Sequence, residues 1–213
     1  EGLVEVCDGA LLHGRLPLDA PGFPVDEWSC CPFTALRSWT PDHDGVWLHG
    51  NAGSGKTTLF AGLVLQLRAG GVEVAAATMA HLLAGLRAST MADAGRYAAQ
   101  VDRLGEVPVL ALDDVLVRPL SEWAAEVMEQ VLNARWNAGL PVLATSNHAL
   151  SELPPAAVLR DGTGRGQVVY DRLVSRLRAC CKTDVPVWYP GDRRTGRLDE
   201  ALATRWRATR GQG

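Results

Sequence analysis

The stretch "HGNAGSGKTT", His49 to Thr58, constrains the chain more than any other ten residues. It places three glycines and a lysine between a short apolar run, "GVWLHG", and the segment "KTTLFAGLVLQLRAGG", whose apolar residues recur at helical spacing and stop at two glycines. Small residues where a strand passes into a helix leave the backbone itself as the surface a partner meets. Lysine is also scarce. Lys56 and Lys182 are the only two, and arginine carries the remaining positive charge. A lysine at this position therefore has a defined task, as a compact point charge beside exposed main-chain amides.

The spacing Gly50-x-x-x-x-Gly55-Lys56-Thr57 fits a phosphate-binding loop, and the flanking strand and helix are the context that motif requires. Gly50, Gly53 and Gly55 let the backbone curl so that its N–H groups, including those of Asn51, Ala52 and Ser54, turn toward one anion. The helix beginning near Lys56 adds the positive end of its dipole. Lys56 reaches the β- and γ-phosphates, Thr57 offers a hydroxyl to magnesium, and Thr58 completes the cradle. ATP and magnesium are the expected cofactors.

The rest of the chain reads as one α/β domain. Apolar strand runs at 45–50, 72–78, 107–114, 140–147 and 185–190 alternate with helical segments, notably 79–89, 94–104, 121–139 and 167–181. A break falls at Ser89–Asp93, and Ser121 and Gly139 bound the long helix as cap and stop. Strands apolar on both faces point to a parallel sheet in a three-layer domain, which takes ligands beyond the carboxyl ends of its strands. Residues 1–29, rich in proline, read as an N-terminal arm or linker; 30–194 form the core; 195–213 form a basic C-terminal tail with a short final helix.

Composition narrows the function classes. A chain of 213 residues with 47% hydrophobic residues builds a sizeable single core. Its net charge of −3 excludes a global basic footprint, so any nucleic-acid contact rests on a local patch. No apolar stretch approaches the ~18 residues of a membrane span. The five cysteines, Cys7, Cys30, Cys31, Cys180 and Cys181, are odd in number and include two adjacent pairs, which argues against a disulfide framework and for a cytoplasmic location. Cys7, His13, Cys30 and Cys31 lack zinc-ligand spacing.

Three further pieces fall at the strand ends. "VLALDD" delivers Asp113 for the metal and Asp114 as the base that polarises an attacking water. "ATSN" brings Asn147, with Ser146 and Thr145 behind it, to the tip of a neighbouring strand, where a polar side chain touches the γ-phosphate or orients the water. In "YDRLVSRLRACC", Arg172 and Arg176 share one helix face while Arg178 points elsewhere; an arginine on that face could reach a neighbouring subunit's nucleotide and offset charge in phosphoryl transfer.

These segments, together with "NARWNAGLPVLATSN" and the closing "VPVWYPGDRR", resemble the DnaC/IstB/DnaI group of AAA+ ATPases over roughly residues 30 to 194, and more distantly the initiator DnaA. The resemblance implies a P-loop NTPase of the ASCE type, with a five-stranded parallel sheet in the order 5-1-4-3-2 and a reduced or absent lid. It makes Lys56 and Thr57 Walker A, Asp113 and Asp114 Walker B, Asn147 sensor 1 and Arg176 the finger, with Arg193 or Arg194 in a sensor-2 role. It implies a Mg-dependent ATPase whose site is completed in trans, a homo-oligomer that works as a helicase loader in DNA replication, and a partner that is single-stranded DNA or a replicative helicase. A transposition helper of the IstB kind, acting with a transposase on duplex DNA, is the alternative within the group. The paired helices at 79–104 stand where the group places DNA-contacting helices and offer His81, Arg87, Arg96, Tyr97 and Arg103. Trp206, among arginines, also suits nucleic acid, whereas Trp47, Trp123 and Trp136 read as packing residues. Outside the group, a P-loop small-molecule kinase would use "RDGTGRGQ" as its lid, and a non-hydrolysing ATP sensor would bind without turnover.

Overall fold

The computed structural model describes residues 36, 39–42, 44–117, 120–153, 165–187, 191–192 and 197–198. The N-terminal arm at 1–29, Cys7, His13, Cys30, Cys31, the loop glycines 162 and 164, Arg193, Arg194 and Trp206 lie outside the described residues.

Elements alternate along the chain: β1 Val46–His49, α1 Lys56–Ala69, β2 Val74–Thr78, α2 Met79–Ala92, α3 Ala94–Glu106, β3 Val109–Asp113, α4 Glu122–Ala138, β4 Val142–Ser146, a short 3-10 turn at Leu150–Glu152, α5 Arg165–Cys180, β5 Thr183–Pro186, and the two-residue strands β6 Gly191–Asp192 and β7 Arg197–Leu198. The first five strands form one parallel sheet in the order β2-β3-β4-β1-β5, the expected order read from the opposite edge. Alternate residues of each strand feed two cores. Val46, Leu48, Ala76, Val109, Ala111 and Leu143 meet α1 on one face. Trp47, Ala77, Leu110, Leu112, Val142 and Ala144 meet α2 to α5 on the other. The three layers are therefore unequal, with one described helix on one side and four on the other.

Several boundaries move from the expected ones, each for a local reason. The run at 107–114 shortens to β3 because Pro108 has no ladder donor and Asp114 turns to φ 57°. α2 runs through Ser89 to Ala92, since the Ser89 and Thr90 hydroxyls bond back to the carbonyls of Gly85 and Leu86 within the helix. The break is one residue, Asp93, whose carboxylate accepts from Gly95 N and caps α3. β5 lies at 183–186 rather than 185–190, set by pairing with β1 from Val46–Thr183 to His49–Pro186. Beyond it, Gly191–Asp192 and Arg197–Leu198 pair antiparallel, so Arg197 and Leu198 are extended, not part of the short helix expected in the tail; no helix follows β5 among the described residues.

Arg135, the arginine of "NARW", ties these layers together. It is fully buried, and its guanidinium donates to the carbonyls of Leu104 (2.9 Å), Val107 (2.7 Å), Pro108 (3.3 Å) and Pro141 (2.6 Å). Pro108 and Pro141 stand just before β3 and β4, and Pro108 cannot offer an N–H to Leu104 at the end of α3. One side chain thus satisfies the Leu104 carbonyl that Pro108 leaves open, together with the carbonyls of Val107, Pro108 and Pro141. Burial pushes its pKa down to about 10, which leaves it charged at neutral pH.

Candidate functional site: a phosphate-binding loop beside two acids

β1 ends at His49 and the chain enters the loop through Gly50, at φ 154°. A Cβ here would stand 1.9 Å from the Val187 carbonyl oxygen, and Val187 N donates to His49 O at 2.6 Å, so the exit of β5 closes on the base of the loop. Gly53 and Gly55 take φ of 76° and 97°, conformations that side chains other than glycine rarely adopt. Gly55 opens α1 with no side-chain cap, and no acid lies in the helix's first turn. Such a helix start offers an anion the positive end of its dipole. Lys56 is buried, and its Nζ donates to the carbonyls of Gly50 (2.9 Å) and Asn51 (3.0 Å), lying along the inside of the loop. Ser54 N donates to Asn51 O, while the buried Ser54 Oγ meets no hydrogen-bond partner among the described residues. Asn51 and Ala52 are exposed at the rim, Thr57 is exposed, and Thr58 is half-buried.

Asp113 ends β3 at 3% exposure. Its Oδ1 accepts from Thr57 Oγ1 at 3.3 Å and from Thr145 Oγ1 at 2.5 Å, which brings the P-loop helix, β3 and β4 to one carboxylate. Burial drives its pKa above the usual carboxylate value; the Thr145 and Thr57 hydroxyls and the Asp114 backbone oppose that rise, and the neighbouring Asp114 charge adds to it. Asp114 is exposed, in the left-handed region, and donates its N–H to Thr145 Oγ1 at 2.9 Å. Val115 N donates to Thr145 O, and Ser146 Oγ donates to Val115 O, both at 2.8 Å. Asn147 sits one residue past β4 and is exposed.

The residues fit a magnesium nucleotide on their own chemistry. A buried carboxylate and a hydroxyl 3.3 Å apart are hard oxygen donors of the kind magnesium takes. Ser54 Oγ is a buried polar atom left unsatisfied among the described residues.

Arg172 and Arg176 line one groove of ≈ 570 Å³ with Glu129, Asp171, Ser175 and Val168. Its lining comes from α4 and α5 and includes no residue of the loop. Arg176 stacks on Trp136, its guanidinium carbon 4.5 Å from the ring centroid, and Trp136 is 49% exposed. Arg178 turns away and donates to Leu150 O. Trp47 is fully buried with its indole N–H on His148 O, a packing residue as expected. Of the basic and aromatic side chains on α2 and α3, Arg103 pairs with Glu73, Arg87 lies over Trp123, His81 hydrogen-bonds Thr78, Tyr97 packs against the core, and Arg96 is exposed. Among the described residues no helix is long and apolar enough to cross a membrane and no cluster of potential metal ligands forms apart from this site's single acid and hydroxyl.

Thr145 is the contact that sequence reasoning undervalued by placing it behind Asn147. Its place follows from strand register, since parallel pairing of Leu112 with Ala144 sets Thr145 beside Asp113. Arg135 gave no sequence signal, since its four acceptors are main-chain carbonyls.

Comparisons with known proteins agree with this geometry. A family model described as IstB-like ATP binding protein matches residues 33–181. None of the curated protein sequences matches significantly. Among solved structures, DnaI superposes with a TM-score of 0.58 at 22% identity, covering 89% of this chain and 92% of that one. The DnaC helicase loader gives 0.56 at 16%, covering 84% and 98%. The replication initiator DnaA bound to AMPPCP and single-stranded DNA gives 0.54 at 19%, covering 72% of this chain and 42% of that one. At these identities the structures establish a shared AAA+ fold. With a glycine loop that opens a helix, a buried acid bonded to that helix's Thr57, and a family match over most of its length, this chain belongs to the IstB-like ATP binding proteins.

Proposed function

We propose that the chain is an ATP-hydrolysing AAA+ switch of the helicase-loader type, which self-assembles when it binds ATP and acts on single-stranded DNA or a replicative helicase. The observation that carries the reading is the convergence of Thr57 and Thr145 on Asp113 beside a glycine loop whose helix start is uncapped. In this reading the amides from Gly50 to Thr58 bind the phosphates, and Lys56 adds a positive charge there. Thr57 and Asp113 would hold magnesium, which when bound offsets charge on the phosphates. Asp114 accepts the proton of the attacking water, and Asn147 orients that water. Arg176 from a neighbouring protomer enters as the finger, with Arg172 as the second candidate; the groove that holds both lies apart from the chain's own loop. The protein works in the cytoplasm.

Light scattering after size exclusion tests the reading. ATP with magnesium produces assemblies larger than a monomer, ADP does not, and Lys56→Ala and Arg176→Ala both abolish ATP turnover, while only Lys56→Ala abolishes nucleotide binding. A protein that stays monomeric with ATP, with and without single-stranded DNA, removes the trans site.

The family match favours a second reading, an IstB-like helper that holds duplex DNA for a transposase. ATP-dependent protection of duplex, rather than single-stranded, DNA from nuclease supports that reading over the first.

A further inference from the structure

We propose that Thr145, not the more exposed strand-tip Asn147, is the positioning residue that sets both acids of the site, fixing Asp113 for the metal and holding Asp114 in the conformation from which it reaches water; this rests on the ATP-magnesium reading above. Thr145 is fully buried at the end of β4, and its hydroxyl works in both directions. It donates to Asp113 Oδ1 at 2.5 Å and accepts from Asp114 N at 2.9 Å. One oxygen therefore couples the side chain of the first acid to the backbone of the second.

The backbone it holds is unfavourable by itself. Asp114 and Leu116 have φ of 57° and 56°, a left-handed conformation that residues other than glycine rarely adopt. Three bonds from β4 keep that turn in place: Asp114 N to Thr145 Oγ1, Val115 N to Thr145 O, and Ser146 Oγ to Val115 O. Thr145 takes part in two of them. On the other side, Asp113 Oδ1 also accepts from Thr57 Oγ1, the hydroxyl at the start of α1. The two threonines converge on one carboxylate oxygen, and Thr145 is the partner that is not itself exposed. Its contact persists whichever way Thr57 turns.

Thr145→Val removes the hydroxyl at nearly constant volume and is read in a fluorescent-ATP binding assay with EDTA and with increasing magnesium, followed by steady-state hydrolysis. Outer partners of a metal ligand are worth about 10- to 100-fold in metal affinity or activity, so apparent magnesium affinity and kcat each fall at least about tenfold. Nucleotide affinity in EDTA stays within about threefold, because the loop's amides are unchanged. A merely structural role would instead lower both nucleotide affinities together. Thr145→Ser keeps the hydroxyl and stays within about threefold of wild type in magnesium affinity. Thr145→Ala, which leaves space instead of a branched methyl, reads the same loss should the valine variant not fold. Valine or alanine variants with wild-type magnesium affinity, or a serine variant as defective as they are, overturn the proposal while leaving the ATP reading intact. A wild-type protein that gains no nucleotide affinity from magnesium overturns both.

Discussion

Replacing Arg135 with methionine tests the account of how β3 and β4 are held in place. Methionine fills a comparable apolar volume and removes all four donated hydrogen bonds. A bond from a charged donor contributes about 1.5–3 kcal/mol, so the four together contribute about 6–12 kcal/mol before the guanidinium's own desolvation is counted. That desolvation is visible in the fall of its pKa to about 10, which corresponds to about 3 kcal/mol at about 1.4 kcal/mol per tenfold. Nε also finds no partner among the described residues. Burying methionine recovers about 2 kcal/mol through its own apolar surface. The net loss is then about 1–7 kcal/mol, centred on the ~4 kcal/mol of removing one side of a buried charged network, and a loss of about 4 kcal/mol lowers Tm by about 10 °C for a domain of this size. Arg135→Lys keeps a charge but not the planar fork that spans four acceptors, and loses roughly half as much. Urea denaturation at pH 7.5 reads both variants. A methionine variant within about 1 kcal/mol of wild type refutes the idea that Arg135 serves the Leu104 carbonyl left open by Pro108 and the three carbonyls beside it.

Two other variants report on the site. Asp113→Asn removes a carboxylate whose folded pKa is raised; the folded state binds the extra proton, so wild-type stability falls as pH rises from the unfolded value through the folded one and stays lowered at neutral pH. The asparagine variant without nucleotide therefore melts higher than wild type at pH 7.5 and shows less change between pH 4 and 7 in thermal scans, yet gains no stability from ATP with magnesium; a lower melting temperature at pH 7.5 contradicts the cause assigned to the shift. Gly50→Ala drives a Cβ to 1.9 Å from the Val187 carbonyl, a backbone atom that cannot turn aside, so the strand-to-loop junction must shift; nucleotide affinity falls at least tenfold by calorimetry, and an alanine variant with wild-type affinity shows that β5 does not close on the loop.

The sheet was legible because its strands are short apolar runs parted by helices that end in glycine, and a parallel sheet then follows from burial on both faces. Boundaries were less legible where a main-chain event ends a strand before its apolar residues do. Val107 is apolar but precedes a proline, and Asp114 continues the acid pair but turns left-handed. The site was legible to the extent that its chemistry lies in local spacing. Gly50 to Thr58 are contiguous, and Asp113 with Asp114 follow an unbroken apolar run. Thr145 and Arg135 were not, because neither is defined by its sequence neighbours. Thr145 matters through a partner 32 residues away, and Arg135 through carbonyls 28 and 31 residues away, all brought close by strand order.

That distinction also bears on how the second acid works. A side chain chosen for charge alone would tolerate any backbone, but Asp114 is aimed by a turn that two left-handed residues make unfavourable and that β4 holds by three hydrogen bonds. Strain of this kind persists only where its surroundings over-determine it. The surroundings here are the strand that lies between the acid-bearing β3 and the loop-bearing β1. The order β3-β4-β1 therefore does more than set the acids opposite the loop. It inserts a strand whose tip touches Asp113 and Asp114 directly and whose other neighbour leads into Gly50, so a displacement of β4 must disturb both acids together.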